Sequence, residues 1–158
     1  MGRGSTLMTT YGVGSTTLKF GISTDCGVTW STSTVDTSTN VDGMTLGSLD
    51  STNIWIIYQK VTGLYAATST NGGTSWTITS VDLTVGASAP GTPSIFVANN
   101  SEPLVAYGSN QLGGGYGSTL AFAQSADGGS TWSVTHIEEY TGFPSPRWAV
   151  METLDAIN

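Results

Sequence analysis

Ser69-Thr70-Asn71-Gly72-Gly73-Thr74-Ser75-Trp76 decides the fold, because the chain writes this stretch three times. Its companions are Ser23-Thr24-Asp25-Cys26-Gly27-Val28-Thr29-Trp30 and Ser125-Ala126-Asp127-Gly128-Gly129-Ser130-Thr131-Trp132, and the shared pattern is S-x-[DN]-x-G-x-[ST]-W. Recurrence at a steady interval means one supersecondary unit repeated. Asp25 to Asn71 is 46 positions and Asn71 to Asp127 is 56, the difference being taken up by the glycine-rich stretch Gly108 to Ser118.

Alternating runs flank each copy, for example Thr17 to Ile22 before the first and Ser31 to Val35 after it. Period-2 alternation around a polar, glycine-containing centre predicts a β-hairpin. Inside the turn, the short Asp or Asn side chain can accept from the amides that follow, and the Gly two positions later supplies a positive φ. The Trp re-enters the sheet and is expected to bury its ring. Trp30, Trp76 and Trp132 therefore read as core, as do Tyr11, Tyr58 and Tyr107, which recur in phase.

These three segments resemble Asp-boxes, the bacterial-neuraminidase repeats of sialidase-type β-propellers, found also in sortilin-like receptors. The structural positions are Ser23, Asp25, Gly27 and Trp30, then Ser69, Asn71, Gly73 and Trp76, then Ser125, Asp127, Gly129 and Trp132. Asn71 departs from the pattern but can still cap a turn. The resemblance implies an all-β fold of four-stranded antiparallel blades, with each box joining the third and fourth strands on the face away from the usual active site. It marks a fold and not an activity.

Placing each box between the third and fourth strand of a blade orders the other runs. The middle unit takes Met44–Leu49, Ile54–Lys60, Leu64–Ser69 and Thr77–Leu83; the last takes Ser94–Ala98, Pro103–Tyr107, Thr119–Ser125 and Ser133–Glu139. The first has only Leu7–Tyr11, Thr17–Ser23 and Trp30–Val35, with no innermost strand ahead of them. A single half-propeller over 1–158 is expected: blade 1 in 6–39, blade 2 in 40–84, blade 3 in 85–141 and a closing inner strand in 142–158. Three blades do not close a ring, since propellers use about four to eight, and apolar strands left at either end invite pairing. The complementary ends predict a homodimer, Arg147–Glu152 of one copy pairing with Leu7–Tyr11 of the other to make six blades. The alternative is that the chain is one piece of a longer propeller.

Composition agrees with strands. The 158 residues include 21 Gly, 26 Thr and 20 Ser, with only 9% charged residues against roughly 25% in typical domains. No apolar run reaches the ~18 residues of a membrane helix, and the start carries no secretory signal, so localisation is open, with an exported or surface setting favoured by the hydroxyl-rich strands. Four basic against 11 acidic residues, net charge -7, offer nothing to nucleic acid or anionic membranes. One Cys (Cys26) and one His (His136) support neither a disulfide nor a metal site, and no cofactor is implied.

Sialidases, by the same resemblance, clamp a carboxylate with three arginines and add a Tyr nucleophile and an Asp acid/base. Here only Arg3 and Arg147 exist, so the clamp is absent and no catalytic residue is assigned. A more general hydrolase needs two facing carboxylates; Asp42, Asp50, Glu102, Glu152 and Asp155 lie at strand ends but read first as turn caps, and Glu138-Glu139 points to opposite faces. Residues that break the repeat mark where a ligand would sit: Arg147 and Trp148 near the axis, and Asn110, Gln111 and Tyr116 in the glycine-rich loop. Trp55 also breaks it. The expected function is a non-enzymatic binding or adhesion module with glycan as ligand class; a sialidase-like glycoside hydrolase and a purely structural propeller piece are the alternatives.

Overall fold

The structure, a computed structural model, describes residues 5–37, 41–84, 92–98, 101–110, 117–141 and 150–151. They form eleven strands and no helix. The first sheet contains β1 (Leu7–Val13), β2 (Thr17–Ser23) and β3 (Ser31–Asp36). The second contains β4 (Asp42–Ser48), β5 (Ile54–Lys60), β6 (Gly63–Ser69) and β7 (Thr77–Asp82). The third contains β8 (Ser94–Val97), β9 (Pro103–Asn110), β10 (Gly117–Gln124) and β11 (Ser133–Thr141). Every pairing is antiparallel between neighbours in sequence, the simplest outcome of short hairpin connections.

The sheets pack face to face, so the core lies between them. Leu18, Phe20 and Val35 of the first sheet bury against Ile54, Ile56 and Tyr58 of the second. The other face of the second sheet carries Ile57, Leu64, Ala66 and Val81, which bury against Val105, Tyr107 and Ala121 of the third. Since β5 is covered on both faces, Ile54 to Gln59 are all buried and its sequence reads as a continuous apolar run up to Gln59. The inner strands converge: a Cβ on Gly47 of β4 would stand 3.0 Å from the side chains of Ile95 and Val97 in β8, tighter than a Cβ ordinarily packs.

Each repeated segment is the hairpin between the last two strands of its sheet. In the first, Ser23 Oγ accepts from Gly27 N at 2.8 Å, and Asp25 accepts from Thr29 N at 2.9 Å and Thr29 Oγ1 at 2.6 Å. Asp127 repeats this with Thr131 at 2.8 and 2.6 Å. Asn71 accepts from Ser75 N at 3.0 Å and, having an amide, donates to Ser75 Oγ at 2.8 Å. Gly27, Gly73 and Gly129 take φ of 88°, 81° and 95°.

Two expectations are corrected. Trp30 is 45% exposed, and Tyr11 is half-buried where Tyr58 and Tyr107 are 0% and 1% exposed. Both belong to the first sheet, on the side where no described sheet packs. Trp76 and Trp132 are half-buried, each partly covered by the preceding sheet. The closing strand expected at Arg147–Glu152 falls outside the described residues except for Val150 and Met151; Met151 N donates to Ser94 Oγ on β8 at 3.2 Å.

Candidate functional site

Polar ties join neighbouring sheets. Tyr58 donates to Asp36 Oδ2 at 2.6 Å, and Lys60 Nζ meets the same oxygen at 2.6 Å while lying 4.3 Å from the Tyr65 ring centroid. One junction on, Tyr107 donates to Asp82 Oδ2 at 2.7 Å. Burial, then the neighbouring carboxylate, pushes both tyrosine hydroxyls far above their ordinary range. These phenols stay protonated, as structural donors and not nucleophiles.

Where the sheets splay apart beside the repeated turns, each junction opens into a cleft. Between the first and second sheets the cleft is about 250 Å³, with Phe20 and Ile22 opposite Gly72 and Gly73. Between the second and third it is about 380 Å³ and walled by hydroxyls, among them Thr68, Thr70, Ser75, Thr77 and Ser130. The difference lies in two positions. Thr68 holds the place on β6 that Ile22 holds on β2, and Trp55 replaces the smaller Met8 on the adjoining strand. Trp55 donates to Gly128 O at 2.9 Å and Thr79 to Gly129 O at 2.8 Å, so the turn is clasped from below. Thr68 Oγ1 is buried and meets no protein partner.

Asp127 is the carboxylate in the larger cleft. Hydrogen bonds from the Thr131 hydroxyl and amide, with Ser125 adding a third, pull it from 3.8 down to about 2. It stays ionised with its lone pairs engaged, a poor proton donor. Asp50 is held low by four donors from Thr52 and Asn53 at 2.6 to 2.8 Å. Asp42 caps the amide of Gly43 at 2.8 Å. Among the described residues no group of three His, Cys, Asp or Glu side chains is placed to hold a metal ion.

Of the sequence-derived ligand residues, Gln111, Tyr116, Arg147 and Trp148 lie outside the described residues. Asn110 is the last residue of β9, its backbone paired with Ser118. Thr68 and its neighbours were missed because threonines on alternating strands look alike in sequence; comparing Thr68 with Ile22 across the repeat was the available signal.

No protein-family model and no curated protein matches the chain. Solved structures do. NanB sialidase from Streptococcus pneumoniae superposes with a TM-score of 0.54 at 18% identity, covering 77% of this chain and 19% of that one. The fold is that of the sialidase β-propellers. The leech intramolecular trans-sialidase, complexed with 2,7-anhydro-Neu5Ac, gives a TM-score of 0.52 at 19% identity over the same shares. The intramolecular trans-sialidase from Ruminococcus gnavus, in complex with oseltamivir carboxylate, gives 0.51 at 20% identity, covering 77% of this chain and 26% of that one. This propeller chain thus spans about a fifth to a quarter of the length of the sialidases it matches.

Proposed function

We propose that this propeller chain is a non-catalytic binding or adhesion module for carbohydrate, its three repeated turns being structural Asp-boxes. The observation that carries the reading is the cleft between the second and third blades, about 380 Å³ and lined by threonine and serine hydroxyls. Such groups both donate and accept, matching the hydroxyls of a sugar. Among the described residues of that lining, Asp127 has no second carboxylate beside it to form an acid/base pair. A net charge of -7 opposes a sugar carboxylate, which makes neutral glycans the expected class. Asn110, Gln111, Tyr116, Arg147 and Trp148 are retained as a second proposed contact region.

Titration of the chain with neutral oligosaccharides and with sialyllactose, followed by NMR, tests this. Neutral glycan is expected to shift resonances of the cleft, and Thr70→Val to weaken binding about tenfold, the loss of one hydrogen bond. Absence of binding at millimolar sugar would reject the proposal. The sialidase neighbours favour one other reading, a glycoside hydrolase, which turnover of fluorogenic sialosides or glycosides would install.

A further inference from the structure

Asparagine followed by glycine is chemically labile, because a neighbour without a side chain lets its backbone nitrogen reach the carboxamide. The chain contains this pair once, at Asn71-Gly72 in the second repeated turn; the third turn has Asp127-Gly128 in the same place and the first Asp25-Cys26. Asn71 is exposed to water. Only the geometry of the turn stands between it and that chemistry.

Both reacting groups are tied. Asn71 Oδ1 accepts from Ser69 Oγ and from Ser75 N, each at 3.0 Å, and Nδ2 donates to Ser75 Oγ at 2.8 Å. Gly72 N donates to Thr52 O at 3.0 Å, so the nitrogen that would attack is held by the connection between β4 and β5. Thr52 is anchored in turn, because Asp50 accepts from its amide at 2.6 Å and its hydroxyl at 2.7 Å. A Cβ on Gly72 would stand 3.2 Å from Ser51 O, whereas one on Gly128 would meet nothing within 4 Å. Among the described residues Gly128 N makes no bond of the kind that Gly72 N makes.

We propose that Asn71 is a latent modification site whose reaction is gated by the contact between Gly72 and Thr52. When the turn lifts from Thr52, Gly72 N gives up its proton to solvent and bonds to Asn71 Cγ; the Cγ–Nδ2 bond breaks and Nδ2 leaves as ammonia. Water then opens the cyclic imide. Attack at Cγ leaves an aspartate, and attack at the backbone carbonyl leaves an isoaspartate whose main chain runs through the side chain. The aspartate re-forms the turn, since Asp25 and Asp127 hold theirs by accepting from the residue four positions on, as Asn71 does. The isoaspartate, with a methylene group added to its main chain, does not. Either product adds a negative charge beside Thr70 and Ser75, which line the larger cleft. The proposal goes beyond carbohydrate binding and does not depend on what that cleft takes.

Peptide-mapping mass spectrometry of the chain aged at mildly alkaline pH, native and in urea, tests it. Conversion at Asn71 is expected to be at least about tenfold slower in the native chain, the factor that a local opening free energy of about 1.4 kcal/mol imposes. Asp127→Asn puts the same Asn-Gly-Gly sequence into the third turn without the bond to Thr52. Position 127 of that variant is expected to convert at least about tenfold faster than Asn71 in the native state and at the same rate in urea. Asp50→Ala, which releases Thr52, is expected to speed native conversion at Asn71 and leave the urea rate alone. Equal rates at Asn71 in the native chain and in urea, no conversion there in urea, or equal native rates at the two positions of Asp127→Asn would overturn the proposal. Should circular dichroism show either variant unfolded, the native and urea rates of the unaltered chain still decide it.

Discussion

The Tyr58 hydroxyl lies 2.6 Å from Asp36 Oδ2, tying the second sheet to the first across 22 residues of sequence, and Tyr107 with Asp82 repeats the tie at 2.7 Å. A phenol donating to a buried carboxylate is a charge-assisted bond, and its net contribution exceeds that of a neutral pair. Among the described residues, both junctions between sheets carry such a tie set among apolar side chains.

Tyr107→Phe is therefore expected to destabilise the chain by about 2 kcal/mol, the usual worth of a hydrogen bond to a charged group. Asp36→Asn should cost more, about 3 kcal/mol, because it removes both the acceptor charge of the Tyr58 bond and the carboxylate that pairs with the Lys60 ammonium group, 14% exposed. Urea unfolding measures both; equal, negligible losses would refute the assignment of these ties as stabilising.

Asp25 and Asp127 have carboxyls lowered from 3.8 to about 2 by hydrogen bonds from Thr29 and Thr131 respectively. A carboxyl whose folded value is depressed contributes stability that is complete above its unfolded value and disappears as pH falls through the folded one. The chain should lose thermal stability between about pH 4 and pH 2. Asn71 shows that an amide keeps the turn, so the Asp25→Asn, Asp127→Asn double variant should flatten the slope of Tm against pH in that window. An unchanged slope would place the acid sensitivity elsewhere.

Glycines 73 and 128 separate two causes of strain. Both have positive φ, 81° and 73°, but a Cβ on Gly128 meets nothing within 4 Å while one on Gly73 would enter the Phe20 ring. Gly128→Ala is expected to cost about 1 kcal/mol, the left-handed backbone penalty alone, and Gly73→Ala at least about 3 kcal/mol through overpacking as well. Comparable losses at the two sites would show that the turn does not press on Phe20.

Thr68→Val should stabilise the chain by about 1 kcal/mol, since it replaces a buried hydroxyl that has no protein partner with a methyl group of the same shape. A calorimetric Tm that falls instead would mean that the hydroxyl is satisfied by water in the cleft.

Much of the fold was legible in sequence because its signals are local. Alternation placed Thr17–Ser23, and an apolar run fitted between repeated turns placed Ile54–Lys60, at the bounds observed, and the Ser, Asp and Gly of each turn bond one another within four residues. The cleft was not legible. It exists because Trp55 and Thr68 face a turn 60 to 73 positions away, and nothing local distinguishes that threonine from its neighbours on alternating strands. The acceptor role of Asp36 and Asp82 was missed for the same reason, each serving a tyrosine on the following blade.

From the sequence alone came the strand period, the turn chemistry and the repetition of one unit three times, all of them set by interactions within a few residues. Tertiary structure decided what each copy of that unit does. Identical turns leave Trp76 half-buried and Trp30 45% exposed, because a ring is buried by the sheet that packs over it, and that sheet comes from another part of the chain.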